Sequence, residues 1–270
     1  MPLPFANIFP TSTPLIAMIH VPALPGTPAY HNDWPAVLEK VAAEAKLLHS
    51  CGVDAILLEN MHDTPYLNRQ VGPEIISGMT AAALRVREVA PELPCGIQIL
   101  AGANQAALAV ALAADLQFIR AEGFVFGHLA DEGWMNSDAA KLLRYRKTIG
   151  AEHIGVFTDI KKKHSSHATS ADISLEETAK AAQFFRTDGL IVTGNATGEE
   201  AKAEDLQAVR KACPQLPLLV GSGITAENAA EFKPLVDAVI VGSYLKEDGY
   251  WANELSRARI EQLVSAWNGA

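Results

Sequence analysis

Leu218-Leu219-Val220-Gly221-Ser222-Gly223 is an apolar run that ends in a glycine-serine turn, and the pattern recurs in Ala238-Val239-Ile240-Val241-Gly242-Ser243. Residues 225–232, between the two turns, have the composition of a short helix. The last two units of a (β/α)8 barrel hold a phosphate with this order of strand, glycine turn and helix. Glycine lets backbone N–H groups approach an anion closely, and a helix N-terminus adds partial positive charge. Tight βα turns alone would need the same glycines, but their recurrence after successive strands favours a phosphate site at Gly221, Ser222, Gly223, Gly242 and Ser243.

The rest of the chain alternates apolar runs with helical patterns, and Val37, Val41, Ala45 and Leu48 form one such helical stripe. Continuous apolar runs are typical of parallel strands that are covered on both faces. These runs lie at residues 15–19, 53–58, 96–100, 116–119, 153–157, 189–192, 217–220 and 238–241. Repeated strand-helix units predict an α/β fold, a single (β/α)8 TIM barrel, rather than an open doubly wound sheet. The length of 270 residues fits one domain, residues 1–270, with a core from about residue 15 to about residue 267.

Composition excludes several classes of protein. The net charge of −9 argues against a nucleic-acid partner, which needs a basic surface. No run approaches the roughly 20 apolar residues of a membrane helix, and the N-terminus lacks the basic region of a secretory signal. We therefore expect no membrane span and a cytoplasmic location. Cys51, Cys95 and Cys213 have no disulfide or zinc spacing and are predicted to be free thiols.

The connections that follow the strands are long, whereas those that return to the next strand are short. The long ones span residues 20–32, 59–73, 121–137 and 159–173. Loops of more than about a dozen residues in a compact domain are usually functional. These four leave the C-terminal ends of barrel strands, where barrel enzymes place their sites. We therefore expect the functional residues in or beside them.

The first two strands each end in a polar side chain. His20 is a candidate general acid or base, or a hydrogen-bond donor to substrate; a structural histidine that caps the barrel would occupy the same position. Glu59 is costly at the end of a buried strand unless it faces the barrel mouth and finds a partner. Together with His62 and Asp63 it could form a metal site, but the spacing matches no strong ligand pattern. The sequence predicts a hydrogen-bond network there and no metal.

The third, fourth and sixth strands also end in residues suited to ligand binding. Gln98 is predicted to point into the barrel, and the Thr193 hydroxyl to meet the ligand. Arg120 is placed to bind a carboxylate or phosphate through two hydrogen bonds, and Glu122 is available to orient the arginine. An internal Arg–Glu salt bridge is the alternative. The apolar loop at residues 123–128 suits either a lid or a contact in a homo-oligomer, whose existence the sequence leaves open.

The fifth strand ends in Thr158-Asp159-Ile160-Lys161-Lys162-Lys163-His164. Asp159 and Lys161 share one side of an extended segment and suit acid/base or Schiff-base chemistry. A solvated basic loop that attracts an anion without reacting would have the same composition. Lys162 is predicted to lie on the surface. The loop at residues 159–173 has few apolar side chains, so we expect it to be mobile until an anion pairs with Lys161 or Lys163 and His164.

Four of these motifs together resemble the BtpA/SgcQ family, and the resemblance runs from about residue 15 to about residue 245. They are Met18-Ile19-His20-Val21-Pro22-Ala23-Leu24-Pro25-Gly26, Glu59-Asn60-Met61-His62-Asp63-Thr64-Pro65-Tyr66, Asp159-Ile160-Lys161-Lys162-Lys163-His164 and Val220-Gly221-Ser222-Gly223-Ile224. The resemblance implies a ribulose-phosphate-binding-type (β/α)8 barrel. It implies that the site contains His20, Glu59, Asn60, Asp159, Lys161 and His164. Family labels range from a factor for photosystem I accumulation in cyanobacteria, through sugar utilisation in bacteria, to phosphoribosyltransferase.

Two functions follow from these observations. The first is an enzyme that acts on a phosphorylated sugar or nucleoside-like molecule, with Asp159, Lys161, Glu59 and His20 as catalytic groups. Asn60, Gln98, Arg120, Glu122, His164 and Thr193 would then bind the substrate. The second is a non-catalytic assembly factor that keeps an inherited barrel and binds a protein partner. Long loops with many charged groups around one mouth of the barrel favour the enzyme. The sequence requires no cofactor for it.

Overall fold

The computed structural model describes residues 5–162, 164–194 and 201–270. Within these residues, eight parallel strands close into a barrel in the order β1-β11-β10-β9-β7-β4-β3-β2. The predicted TIM barrel is confirmed. The barrel strands are β1 (Leu15–His20), β2 (Ala55–Glu59), β3 (Cys95–Gln98), β4 (Phe118–Ala121), β7 (Gly155–Asp159), β9 (Gly189–Val192), β10 (Leu218–Val220) and β11 (Ala238–Val241).

Helices cover the outside of the barrel. They are α1 (Trp34–Ser50), α2 (Pro73–Val89), α3 (Asn104–Ala113), α4 (Ala139–Thr148), α5 (Leu175–Phe184), α6 (Ala203–Ala212), α7 (Ala229–Phe232) and α8 (Arg257–Gly269). Side-chain caps fix two of their starts: the Asp33 carboxylate accepts a hydrogen bond from the Ala36 N–H at 3.1 Å, and the Ser174 hydroxyl from the Glu177 N–H at 3.1 Å. In the described part of the chain, no helix is long and apolar enough to cross a bilayer.

A separate apolar core fills the inside of the barrel. Phe118 and Phe157 point inward, 5.6 Å apart between ring centroids, and Phe9 closes the N-terminal end against them. A Cβ at Gly189 would lie 2.7 Å from the Phe157 ring, so this position needs glycine to admit the aromatic side chain. Ile8 and Phe9 are buried, so the core begins before the boundary near residue 15 that the sequence suggested.

Two of the long loops form a small antiparallel sheet. Its strands are β5 (His128–Ala130), β6 (Gly133–Met135) and β8 (Ser165–Ser166), in the order β6-β5-β8. β5 and β6 follow barrel strand β4, and β8 follows β7, so the sheet joins two loops at the C-terminal face. Residues 165–166 belong to the loop at 159–173 and pair with Leu129 and Ala130. The mobility of this loop without ligand stays a prediction.

Candidate functional site

A cavity of about 500 Å³ opens at the C-terminal ends of the barrel strands. Most of the predicted site residues line it: His20, Glu59, Gln98, Arg120, Glu122, Asp159, His164, Gly221, Ser222, Gly223, Gly242 and Ser243. Sequence reasoning missed other residues of its wall, among them Tyr66, Glu132, Lys162, Trp251 and Arg259. These five lie in loops or in α8. Tyr66 and Lys162 belong to motifs of the family resemblance but are not among the residues that the sequence predicts for the site, and no local pattern marks the other three.

Strand register brings three polar side chains to one level of the wall. His20 on β1 is paired in register with Glu59 on β2, and Glu59 with Gln98 on β3. All three are at least nine-tenths buried. The Nδ1 atom of His20 lies 2.9 Å from the Trp251 carbonyl oxygen. Because a carbonyl can only accept, this hydrogen bond places a proton on Nδ1.

A buried ion pair lies beside these side chains. The Arg120 Nε donates to both Asp159 carboxylate oxygens, at 3.1 and 3.2 Å, and the Nη2 lies 3.1 Å from Oδ1. Burial opposes the Arg120 charge, but the carboxylates of Asp159, Glu59 and Glu122 outweigh it and raise the Arg120 pKa. The alternative of an internal Arg120–Glu122 pair is wrong, because the arginine fork pairs with Asp159 from the neighbouring strand β7.

Glu122 has a different cation as its partner. The Lys162 Nζ lies 3.3 Å from the Glu122 Oε2, and both side chains are at least nine-tenths buried. The expectation that Lys162 lies on the surface is therefore wrong. A lysine run gives no sign of which member turns inward; here the left-handed backbone at Lys161, with φ of 48°, coincides with the change of direction.

The two glycine-serine turns lie close to the Arg120 and His20 side chains. A Cβ at Gly221 would lie 3.2 Å from the Arg120 Nη2, and one at Gly242 would lie 3.0 Å from the His20 Nε2. Both glycines thus admit side chains of the site at close range. Gly223 has φ of +78°, a conformation that glycine adopts without strain. Its carbonyl accepts a hydrogen bond from the Asn228 Nδ2 at 2.9 Å, which fixes the turn.

Arg259 adds a cation to the side of the cavity that holds the turns. It comes from the first part of α8, and its Nε donates to the Tyr244 carbonyl at 2.6 Å. Its guanidinium stacks 4.4 Å from the centre of the Tyr244 ring. The Ser222 hydroxyl accepts a hydrogen bond from the Gly194 N–H at 2.9 Å, so it also braces the turn after β9.

Three predicted site residues lie outside the residues that line the cavity. The Asn60 amide bridges two loops, donating to the Asp63 Oδ2 at 2.8 Å and accepting from the Leu100 N–H at 2.7 Å. The Lys161 ammonium donates to the Ile173 carbonyl, which holds it away from the cavity. Thr193 is half-buried and its hydroxyl has no hydrogen-bond partner among the described residues. Lys163, and the Asn195 that follows Thr193 and Gly194, lie outside the described residues.

Of the Glu59, His62 and Asp63 group, Asp63 forms hydrogen bonds and His62 packs against an aromatic ring. Asp63 accepts from the Leu24 N–H at 2.8 Å as well as from Asn60, while burial raises its pKa. His62 packs against Trp251 with ring centroids 5.0 Å apart. Among the described residues, no group of three or more His, Cys, Asp or Glu side chains is arranged to hold a metal ion.

The sequence profile of the BtpA family matches residues 11–269. The chain belongs to the BtpA family. It is 47% identical over 268 residues to an uncharacterized protein of Caenorhabditis elegans, F13E9.13, with 97% of this chain and 96% of the relative covered. That relative is named as mitochondrial, so the cytoplasmic location stays a prediction. The Photosystem I biogenesis protein BtpA of Synechocystis is 29% identical, with 96% and 89% covered.

Solved barrels share the fold of this BtpA-family chain at low identity. Phosphoribosyl anthranilate isomerase from Thermus thermophilus is 14% identical, with a TM-score of 0.59 and 95% and 99% of the two chains covered. Thiamine phosphate pyrophosphorylase from Pyrococcus furiosus is 14% identical, with a TM-score of 0.57 and 96% of each chain covered. Mycobacterium tuberculosis tryptophan synthase is 16% identical, with a TM-score of 0.62 and 98% of each chain covered.

Proposed function

We propose that this protein is an enzyme that acts on a phosphorylated sugar or nucleoside-like small molecule by acid/base chemistry at the C-terminal face of the barrel. One observation carries the proposal: a single cavity holds both glycine-serine turns and the strand-end groups His20, Glu59 and Asp159. The turns and Arg259 suit an anion, because backbone N–H groups and a guanidinium are its usual ligands. The carboxylates and the imidazole suit proton transfer.

The cavity also has the size and character of a small-molecule site. Its volume of about 500 Å³ lies within the range of ligand pockets. Met61 and Leu100 provide apolar wall, while the polar groups come from the ends of several strands. Two barrels with the same fold carry names that refer to phosphorylated compounds, phosphoribosyl anthranilate and thiamine phosphate, which supports the proposal by analogy of fold. A role in carbohydrate metabolism and a phosphoribosyltransferase reaction stay predictions.

Calorimetric titration tests the anion half of this proposal. We expect ribose 5-phosphate to bind the wild-type protein more tightly than inorganic phosphate, because the sugar would contact the carboxylate side of the cavity. Ser243→Asp adds a like charge beside the phosphate and should weaken binding by more than about tenfold, whereas Ser243→Ala keeps the backbone N–H and should retain it. Equal binding by both variants, or none by the wild type, would contradict the proposal.

Kinetics test the acid/base half once a phosphorylated compound is found that the protein converts. Glu59→Gln should lower turnover by about a hundredfold or more while retaining the substrate affinity, the usual scale for loss of a general acid or base. Glu92→Gln is the matched control, since Glu92 lies on the connection into β3, at the opposite end of the barrel. Unchanged turnover in Glu59→Gln would remove Glu59 from the mechanism.

A second candidate is a non-catalytic assembly factor. The name of the Synechocystis relative gives that protein a role in photosystem I biogenesis. Leu129 and Trp134, paired in register on β5 and β6, are 52% and 48% exposed. Exposed apolar side chains at one site are typical of protein contacts. Leu129→Ser together with Trp134→Ser should abolish partner capture under this function and leave ribose 5-phosphate binding unchanged under the enzymatic one.

A further inference from the structure

The two halves of the cavity wall come from opposite sides of the barrel. In the closed order of strands, β10 lies four places from β3, and β11 lies four places from β4, halfway around the ring of eight. The glycine-serine turns follow β10 and β11, whereas Gln98 ends β3 and Glu122 follows β4. A ligand that fills the cavity therefore meets the turns at one end and these side chains at the other.

The end beside β3 and β4 offers hydrogen-bond acceptors that lack donors. Gln98 is only 2% exposed, and its Oε1 has no hydrogen-bond partner among the described residues. The Glu132 Oε2, on the loop between β5 and β6, is likewise buried without a partner there. A buried acceptor without a donor is destabilising, so such atoms in a cavity point to donors on a ligand.

The same end carries negative charge. Asp131 and Glu132 both line the cavity, and neither forms an ion pair with a described residue, whereas Glu122 is paired with Lys162. The negative charge also affects the Tyr66 hydroxyl. Burial raises the pKa of this hydroxyl, and the carboxylates of Glu59, Asp63, Glu132 and Glu122 raise it further. A cation of organic type fits this end, since the described acidic groups are not arranged to hold a metal ion.

We infer that the substrate is a phosphate ester that also carries a protonated amino group, such as an aminated phosphosugar. Its phosphate would lie at the glycine-serine turns, and its ammonium group would donate to Gln98 and pair with Glu132 and Asp131 at the other end. This inference rests on the proposed function, because it assumes that a phosphorylated ligand occupies the cavity. Charge-assisted hydrogen bonds to a buried acceptor are among the stronger ones in proteins, so the amino group should dominate the choice of substrate.

Calorimetric titration with a matched pair of sugars tests the inference. Glucosamine 6-phosphate and glucose 6-phosphate differ in one group, an ammonium in place of a hydroxyl, and both serve as probes of the wild-type protein in the presence of EDTA. We expect the aminated sugar to bind more tightly by about tenfold or more. Glu132→Gln combined with Asp131→Asn should remove this preference, so that the two sugars bind the variant with equal affinity. Glu92→Gln, which neutralises an exposed carboxylate at the other end of the barrel, should keep the preference.

Each outcome decides a different claim. Equal affinity of the wild type for the two sugars would overturn the inference and leave the proposed phosphate site standing. A preference that survives in the Glu132→Gln, Asp131→Asn variant would also overturn it, because the amino group would then bind elsewhere. Failure of the wild type to bind either sugar phosphate, or inorganic phosphate, would contradict the proposed function and with it this inference.

Discussion

Arg120 and Asp159 form the buried ion pair of the site, with side chains 5% and 2% exposed. Removing one partner of such a pair leaves an uncompensated charge in a medium that solvates it poorly. We expect Asp159→Asn and Arg120→Gln each to lower the free energy of unfolding by about 3–5 kcal/mol, as measured by urea denaturation. The double variant should lose less than the sum of the two, because neither charge then remains.

Strict additivity in this double-mutant cycle would show that the two side chains do not depend on each other in the folded protein. The exposed pair Lys180–Glu177, at 2.7 Å, provides the matched control. Solvent-exposed pairs contribute about 0–1 kcal/mol, so Glu177→Gln should change the stability little.

Half-buried His62 and buried His128 should make the stability depend on pH. Burial, with nearby cations, lowers the pKa of His62 and of His128 to about 4 in the folded protein, against an ordinary value of 6.5. The unfolded chain therefore binds protons more readily than the folded chain between these values. Stability should be full above pH 6.5 and should fall as the pH drops toward 4. Urea denaturation at pH 7 and pH 5 measures the difference in the free energy of unfolding. His128→Asn should reduce this difference. A difference equal to that of the wild type would exclude His128 as a cause.

At the scale of single residues, the sequence identifies site groups where the fold restricts their placement. A charged or imidazole side chain at the end of a buried parallel strand avoids the cost of burial by facing the mouth, so His20, Glu59 and Asp159 could be predicted. Asn60 has the same kind of position, yet its amide is used between two loops. Arg259 and Lys162 could not be predicted, because helix α8 and a left-handed turn, respectively, direct them toward the cavity.

At the scale of elements, the sheet of β5, β6 and β8 ties the loops after β4 and β7 together. Ser166→Pro removes a backbone donor and restricts the chain beside Leu129, so it should break the pairing of β8 with β5. Hydrogen exchange of residues 128–130 should then be faster by about tenfold, the equivalent of one lost backbone contact. Ser166→Ala keeps the backbone and should exchange at the wild-type rate. Wild-type exchange in the proline variant would show that the pairing contributes no protection.

The barrel strands could be predicted from apolar runs, and β9 and β11 have the bounds that the sequence gives. The observed β2 and β7 extend to Glu59 and Asp159, because pairing in register carries these polar residues into the sheet. The loop sheet could not be predicted. Ser165-Ser166 has no strand-like composition, and its pairing depends on a partner more than thirty residues away in sequence.

At the scale of the whole molecule, apolar periodicity and chain length predict the closed barrel. The residues that fill the inside of the barrel could not be predicted from the sequence. Phe9 plugs the N-terminal end of the barrel from a segment that has no pattern of its own. The net charge of −9 repels anions at long range, so an anionic ligand depends on the local donors at the cavity. The formation of a homo-oligomer stays a prediction.

A crystal structure of the wild-type protein with inorganic phosphate is the most direct test of the account, since the phosphate site underlies both the proposed function and the further inference. We predict one phosphate between the 221–223 turn and the 242–243 turn, within hydrogen-bond distance of their backbone N–H groups and near the Arg259 guanidinium. Crystals of Ser243→Asp grown in the same solution should lack it. Phosphate bound only elsewhere on the wild-type protein, with none between these turns, would contradict the account.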